Sequence, residues 1–200
     1  MGDARRFKKI FAKPFKPWDE TRIAEEKILI KDYGLKNKKE IWKAEAILRT
    51  FKAQAKKLIA TRGKQAEKEK QQLLTRLMSL GLTSQTADLD TVLGLTIGNV
   101  LDRRLQTLVY NKKLSRSIGQ ARQFIVHEHI LVKGKKIAVP AYLVKKDEEE
   151  AIAFADESTL SNLTHPERMQ KQPETPTDTE SADSITEAKE TKETEAKSEA

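Results

Sequence analysis

The chain has 200 residues, with 38 Lys plus Arg against 30 Asp plus Glu and a formal charge of +8. That length suits one or two small domains, and 38% hydrophobic against 34% charged residues leaves room for only modest cores. No run of eighteen apolar residues exists to span a membrane, and the absence of Cys excludes disulfides, thiolate zinc sites and cysteine nucleophiles.

The charge is strongly polarised along the chain. Residues 1–146 hold 33 basic and 14 acidic side chains, whereas residues 147–200 hold 5 basic and 16 acidic ones. A polycation of this kind raises a positive surface field. Nucleic acid is its commonest partner, because neutralised phosphates release their condensed counterions. A membrane is a poorer partner, since the basic helices lack a continuous Trp/Phe/Leu face. The start, Met1 to Arg6, has no apolar secretory stretch and carries Arg6 where a myristoylation motif needs Ser or Thr, so a soluble, cytoplasmic protein is expected.

Residues 1–17 read as a basic arm in which Arg5, Arg6, Lys8, Lys9, Lys13 and Lys16 alternate with Phe7, Phe11 and Phe15. Pro14 and Pro17 discourage a helix there. The three rings either stack on RNA bases or pack on neighbouring helices. Asp19 is placed to cap a helix that runs to Tyr33 and closes at Gly34. Asn37 opens a longer helix, with Glu40 completing a capping-box pair. Ile41, Ala44, Leu48, Phe51, Ala55 and Leu58 form its apolar seam, Arg49 and the lysines lie largely outside it, and Gly63 ends it. A third helix is expected from Gln65 to Leu80, stopped by Gly81. A short helical turn follows over Leu89–Leu93. The region 1–95 is thus a basic arm and helical domain.

Thr96 caps the next expected helix, with Ile97, Val100, Leu101, Leu105, Leu108 and Val109 on one buried face. Ser117 and Gln120 form a second capping box, opening a helix that buries Ile118, Ala121, Phe124 and Ile125. The period then changes. Ile130–Val132 and Lys136–Val139 flank a Gly-containing turn, and Tyr142–Val144 follows Pro140, as small strands around a hairpin would. Residues 96–146 therefore read as helix, turn, helix and small antiparallel sheet. Residues 147–168 form an acidic extension in which Ala151–Phe154 is either a further strand or an apolar clip. Residues 169–200 have almost no large apolar residue and read as a disordered acidic tail that could mask the basic surface before RNA arrives.

One cluster stands out chemically. Arg103 and Arg104 precede the turn, Lys112 and Lys113 lie in it, and Ser115, Arg116 and Ser117 lead into the second helix, which adds Gln120, Arg122 and Gln123. A helix start offers free N–H groups and partial positive charge to a phosphate. Arginine adds planar donors that also stack on unpaired bases. Lys133, Lys135 and Lys136 extend the cationic surface onto the hairpin. His127 and His129 lack a third ligand for a metal, so packing or an RNA contact accounts for them better. Two carboxylates at Asp88 and Asp90 mark a helix start rather than a metal site. No Gly-rich phosphate loop and no nucleophile with supporting His and acid is present, so neither a cofactor nor an enzyme is expected.

The stretch from Arg103-Arg104-Leu105-Gln106-Thr107 through Ala121-Arg122-Gln123-Phe124-Ile125 and Val132-Lys133-Gly134 to Pro140-Ala141-Tyr142-Leu143-Val144 resembles the S4-type (alpha-L) RNA-binding domain. Glu128 stands where many such domains have Gly, and Gln106 replaces the Asp common in bacterial members. Lys16-Pro17-Trp18-Asp19, then Tyr33-Gly34-Leu35-Lys36-Asn37-Lys38-Lys39-Glu40-Ile41-Trp42, and later His165-Pro166-Glu167-Arg168 are similar to the archaeal and eukaryotic branch of the small-subunit ribosomal protein S4 family. The resemblance implies an α+β, mostly α, protein that binds small-subunit rRNA at a multi-helix junction of the five-prime domain. It further implies an early role in assembly, a position near the channel through which mRNA enters, and contacts with neighbouring small-subunit ribosomal proteins. Because the same domain also serves RNA-modifying and RNA-quality-control factors, the alternative is one of those, although residues 1–95 look too helical and basic for a catalytic domain.

Overall fold

The computed structural model describes residues 9–84, 87–162 and 165–167. The basic residues Arg5, Arg6 and Lys8 and the acidic tail 169–200 lie outside them. Among the described residues, α1 spans Glu20–Asp32, α2 Lys38–Ala60 and α3 Lys64–Ser79. Asp19 occupies the α1 N-cap position and Gly34 turns the chain at φ +55°, a left-handed conformation in which glycine has no steric penalty. In α2 the expected seam is buried at Ile41, Ala44, Leu48, Phe51 and Ala55, with Leu58 partly covered. α2 ends at Ala60, and Gly63 sits at the start of α3 instead of closing α2. The short helix α4 covers Leu89–Gly94.

The single helix expected after Thr96 is two. α5 spans Ile97–Asp102 and α6 spans Leu105–Asn111, with Arg104 extended between them. Each half serves a different core. Val100 and Leu101 join the cluster of α2, α3 and α4, whereas Leu105, Leu108 and Val109 join a second cluster with Phe124, Ile125 and Ile130. The break is held by the segment after Pro140. The Leu105 amide donates to the Tyr142 carbonyl at 2.8 Å, the Val144 amide donates to the Arg103 carbonyl at 3.1 Å, and Arg104 forms an antiparallel bridge with Leu143. Tyr142–Val144, expected as a sheet strand, is thus spent on separating α5 from α6.

α7 spans Ile118–Val126 and buries Ala121, Phe124 and Ile125. Ser117 accepts the Gln120 amide at 3.2 Å as expected, while the Gln120 side chain accepts the Arg116 amide at 2.7 Å. The sheet order is β2-β1-β3, with β1 at Ile130–Val132, β2 at Lys135–Lys136 and β3 at Ile152–Phe154. β2 is shorter than the expected Lys136–Val139. Lys133 and Gly134 both have positive φ between the paired Val132 and Lys135, the geometry of a two-residue type I′ hairpin. β3 pairs along all of β1, and Ile152 and Phe154 point into the second core, so the sheet continues past residue 146. The alternate burial of Ile152 and Phe154 around exposed Ala153 is the period-two signature of a strand covered on one face. A four-residue helix, α8 (Lys146–Glu149), links the bridge segment to β3.

Candidate RNA interface

The expected cationic cluster separates into two groups. The first is turned inward. Arg104 is only 4% exposed and donates to Glu40 at 2.6 Å, so it cannot reach a phosphate. Arg122 donates to the other Glu40 oxygen at 2.8 Å and reaches Gln106 Oε1 at 3.4 Å. Arg103 is occupied by the carbonyls of Leu80 at 2.8 Å and Val144 at 3.3 Å and by Glu149 at 2.7 Å. Its guanidinium lies over Gly81, where an added Cβ would meet Cζ at 2.9 Å. Lys112 donates to the Glu149 carbonyl, and Ser115 is fully buried. Arg103, Arg104 and Arg122 brace the two cores against each other. Glu40 and Glu149, their counter-charges, were hidden in the sequence because each lies more than thirty residues from its arginine.

Glu40 does not complete the capping box expected at Asn37, which makes no side-chain cap bond. Burial pushes its carboxyl pKa up, but hydrogen bonds from Arg122 and Arg104 outweigh that effect and leave it below its ordinary 4.5. The ion-paired form is therefore the resting form of this junction.

The second group stays open. Lys113, Arg116, Ser117, Gln123, His127, Lys133, Lys135 and Lys136 are exposed. Gln120, Gln123 and His127 recur at spacings of three and four residues along α7 and its C-cap, turned away from the buried Ala121 and Ile125, and Arg116 stands just ahead of the N-cap Ser117. Lys133 and Lys135 stand at the hairpin tip, and Lys136 pairs with Glu157. Each partner of that pair holds the other in its charged form, Lys136 shifted up and Glu157 down. His129 is half-buried, with Nδ1 2.9 Å from Ser158 Oγ and its ring edge-on to Phe124, a packing role. Lys9 is exposed, and Arg49 is an exposed partner of Glu45 at 2.6 Å on α2. Segment His165–Glu167 lies over the start of α7, where Arg116 donates to the Pro166 carbonyl and Gln120 to the Glu167 carbonyl.

Two left-handed residues frame α7. Lys113, in the turn before it, has φ +57°, and Glu128, just after it, has φ +61°. Glu128 therefore keeps the geometry for which many S4-type domains use Gly. A cleft of about 900 Å³ lies between α2, α3 and residues 143–145 and includes no residue of α7 or the hairpin. Among the described residues no group of three or more His, Cys, Asp or Glu is placed to hold a metal ion, and no helix is long and apolar enough to cross a membrane.

Two helices joined by a basic turn, packed on a small antiparallel sheet with a cationic hairpin, define an S4-type RNA-binding module. Residues 103–150 match the S4 domain, and residues 5–102 match the Ribosomal protein S4/S9 N-terminal domain. The junction between the two matches falls at the break between α5 and α6. Similar proteins include small ribosomal subunit protein uS4 of Methanococcus aeolicus, 51% identical over 169 residues that make up 84% of this chain and 96% of that protein. The uS4 proteins of Nanoarchaeum equitans and Ignicoccus hospitalis are 48% and 46% identical, covering 80% and 79% of this chain and 91% and 95% of their own. The chain belongs to the archaeal uS4 family of small-ribosomal-subunit proteins.

Proposed function

We propose that the chain is a structural component of the small ribosomal subunit, acting in the cytoplasm by binding rRNA without catalysing a reaction. Its site on the RNA is a multi-helix junction of the five-prime domain, where early binding helps nucleate assembly. Neighbouring small-subunit ribosomal proteins and mRNA close to its channel of arrival complete the set of partners. The single observation carrying this reading is the open face of α7 and the hairpin. Arg116, Gln123, His127, Lys133 and Lys135 are exposed there, on a module whose Arg103, Arg104 and Arg122 are tied down internally. Bracing the inner cations fixes the shape of the outer ones, which suits recognition of folded RNA through phosphate positions and not through base edges.

The test is binding of the full chain to a five-prime-domain junction RNA across a range of salt concentrations. Affinity should fall steeply with salt. Replacing Arg116, Lys133 and Lys135 with Ala should weaken binding and flatten the dependence by about one unit of slope for each phosphate left unneutralised. Binding that ignores salt, or a triple variant that binds as tightly as the parent, would overturn the reading.

A further inference from the structure

The arm ahead of α1 presents aromatic rings in a way the α7 face does not explain. Glu26 is 4% exposed and collects the Trp42 indole N–H at 3.1 Å, Lys38 Nζ at 3.0 Å and the Arg22 guanidinium. The other end of that guanidinium donates to the carbonyls of Lys16 at 3.1 Å and Pro17 at 3.0 Å. A buried carboxylate thus holds an arginine, and the arginine holds the backbone of the bend at 16–17. Phe11 packs against Trp42 with ring centroids 6.1 Å apart, tying down the segment on its other side. On this pinned bend Phe15 is 98% exposed and Trp18 is 90% exposed.

The arm therefore packs one half-buried ring against Trp42 and offers two to solvent from a fixed backbone. Lys13 and Lys16, which alternate with them, are exposed and form no ion pair among the described residues. Rings interleaved with free cations match a nucleic acid strand, in which phosphates meet the lysines and base faces meet the rings. A paired base hides both faces in the helical stack, so the occupant has to be unpaired. We propose that Phe15 and Trp18 form a stacking platform for unpaired nucleotides of the bound RNA, a second contact region separate from α7. The inference rests on the reading that this chain binds rRNA.

The experiment uses the full chain and the same junction RNA. Trp18 and Trp42 are its two tryptophans. Junction RNA should quench tryptophan emission in the parent and much less in Trp18→Phe, which keeps a ring and should keep the affinity. Phe15→Ala and Trp18→Ala should each weaken binding roughly tenfold, within the range expected for removing one base stack, while leaving the salt slope unchanged. Lys16→Ala should flatten the slope instead. Urea unfolding should show parental stability for both ring variants, because neither ring is buried. Parental affinity in the Phe15→Ala, Trp18→Ala double variant overturns the platform and leaves the α7 interface standing. Full rescue by Trp18→Leu also overturns it, since an apolar anchor for a protein neighbour would suffice. A parent that fails to bind junction RNA overturns both readings.

Discussion

Glu40, in the first turn of α2, lies 2.6 Å from Arg104, the extended residue between α5 and α6. The two are 64 residues apart in sequence and join the N-terminal core to the RNA-binding module. Glu40→Gln leaves a cation that is 5% exposed at its side chain without its counter-charge. The expected loss is about 3 kcal/mol in urea unfolding, because an unpaired buried charge costs far more than an exposed one. Arg122→Ala, whose side chain is 25% exposed, should cost about 1 kcal/mol. Equal losses would show that Arg104 does not depend on this carboxylate. The pH dependence has a definite sign. The folded pKa of Glu40 lies below its ordinary 4.5, so its contribution is complete above that value and disappears as pH falls through the lower folded value. The stability gap between parent and Glu40→Gln should narrow over that acidic range.

Much of the fold was legible because it is local. The seam of α2 and the Ser117 cap of α7 follow from spacing and side-chain chemistry within a few residues. The break at Arg103–Arg104 was not, because Ile97 to Val109 keep one apolar period across it. What interrupts the helix is the distant segment 140–144, which supplies the backbone partners. The candidate site divides in the same way. The exposed positions on α7 could be read from helical spacing, whereas the inward fate of Arg103, Arg104 and Arg122 depends on carboxylates brought in from α2 and α8.

Gly34 should be intolerant of a side chain. A Cβ there would sit 2.7 Å from Ile118 Cγ2 and 3.1 Å from Gln106 Nε2, and φ is already +55°. Ile118 is β-branched and has little rotamer freedom to withdraw. The 1%-exposed Gln106 also spends its amide on the carbonyls of Gly34 and Ile118, each at 3.1 Å, so it cannot retreat without losing buried hydrogen bonds. Gly34→Ala should destabilise by about 3 kcal/mol from combined strain and overpacking. Gly94→Ala is the matched control, since nothing lies within 4 Å of its Cβ position, and it should be neutral or slightly stabilising. Similar melting temperatures for the two variants would remove the close approach as the cause.

Glu128 offers the opposite case. It is exposed and holds φ +61°, a region that costs a non-glycine residue roughly 1–2 kcal/mol. Comparing Glu128→Gly with Glu128→Ala isolates that cost, because both remove the same charge. The Gly variant should be about 1 kcal/mol more stable than the Ala variant, after allowance for its greater unfolded-state entropy. An Ala variant as stable as the Gly variant would mean that the turn after α7 relaxes without penalty.

The last prediction concerns the alkaline side. Tyr33, the residue that ends α1, donates its hydroxyl to Asp102 at 2.9 Å, linking α1 to the end of α5. Burial and the adjacent Asp102 carboxylate push its pKa up from 10.0 to about 12. A phenol whose folded pKa is raised stabilises the fold fully below the unfolded value, and that contribution is lost as pH climbs from 10 to about 12. Ultraviolet titration near 295 nm should therefore show a late-ionising tyrosine that Tyr33→Phe removes. Phe keeps the ring packed but leaves Asp102 without its donor, so the variant should be less stable at neutral pH by about 1 kcal/mol. Its deficit should shrink above pH 10, where the parent loses the same bond by ionisation. A constant deficit from pH 7 to 12 would mean that the hydroxyl, and not its proton, is what joins α1 to α5.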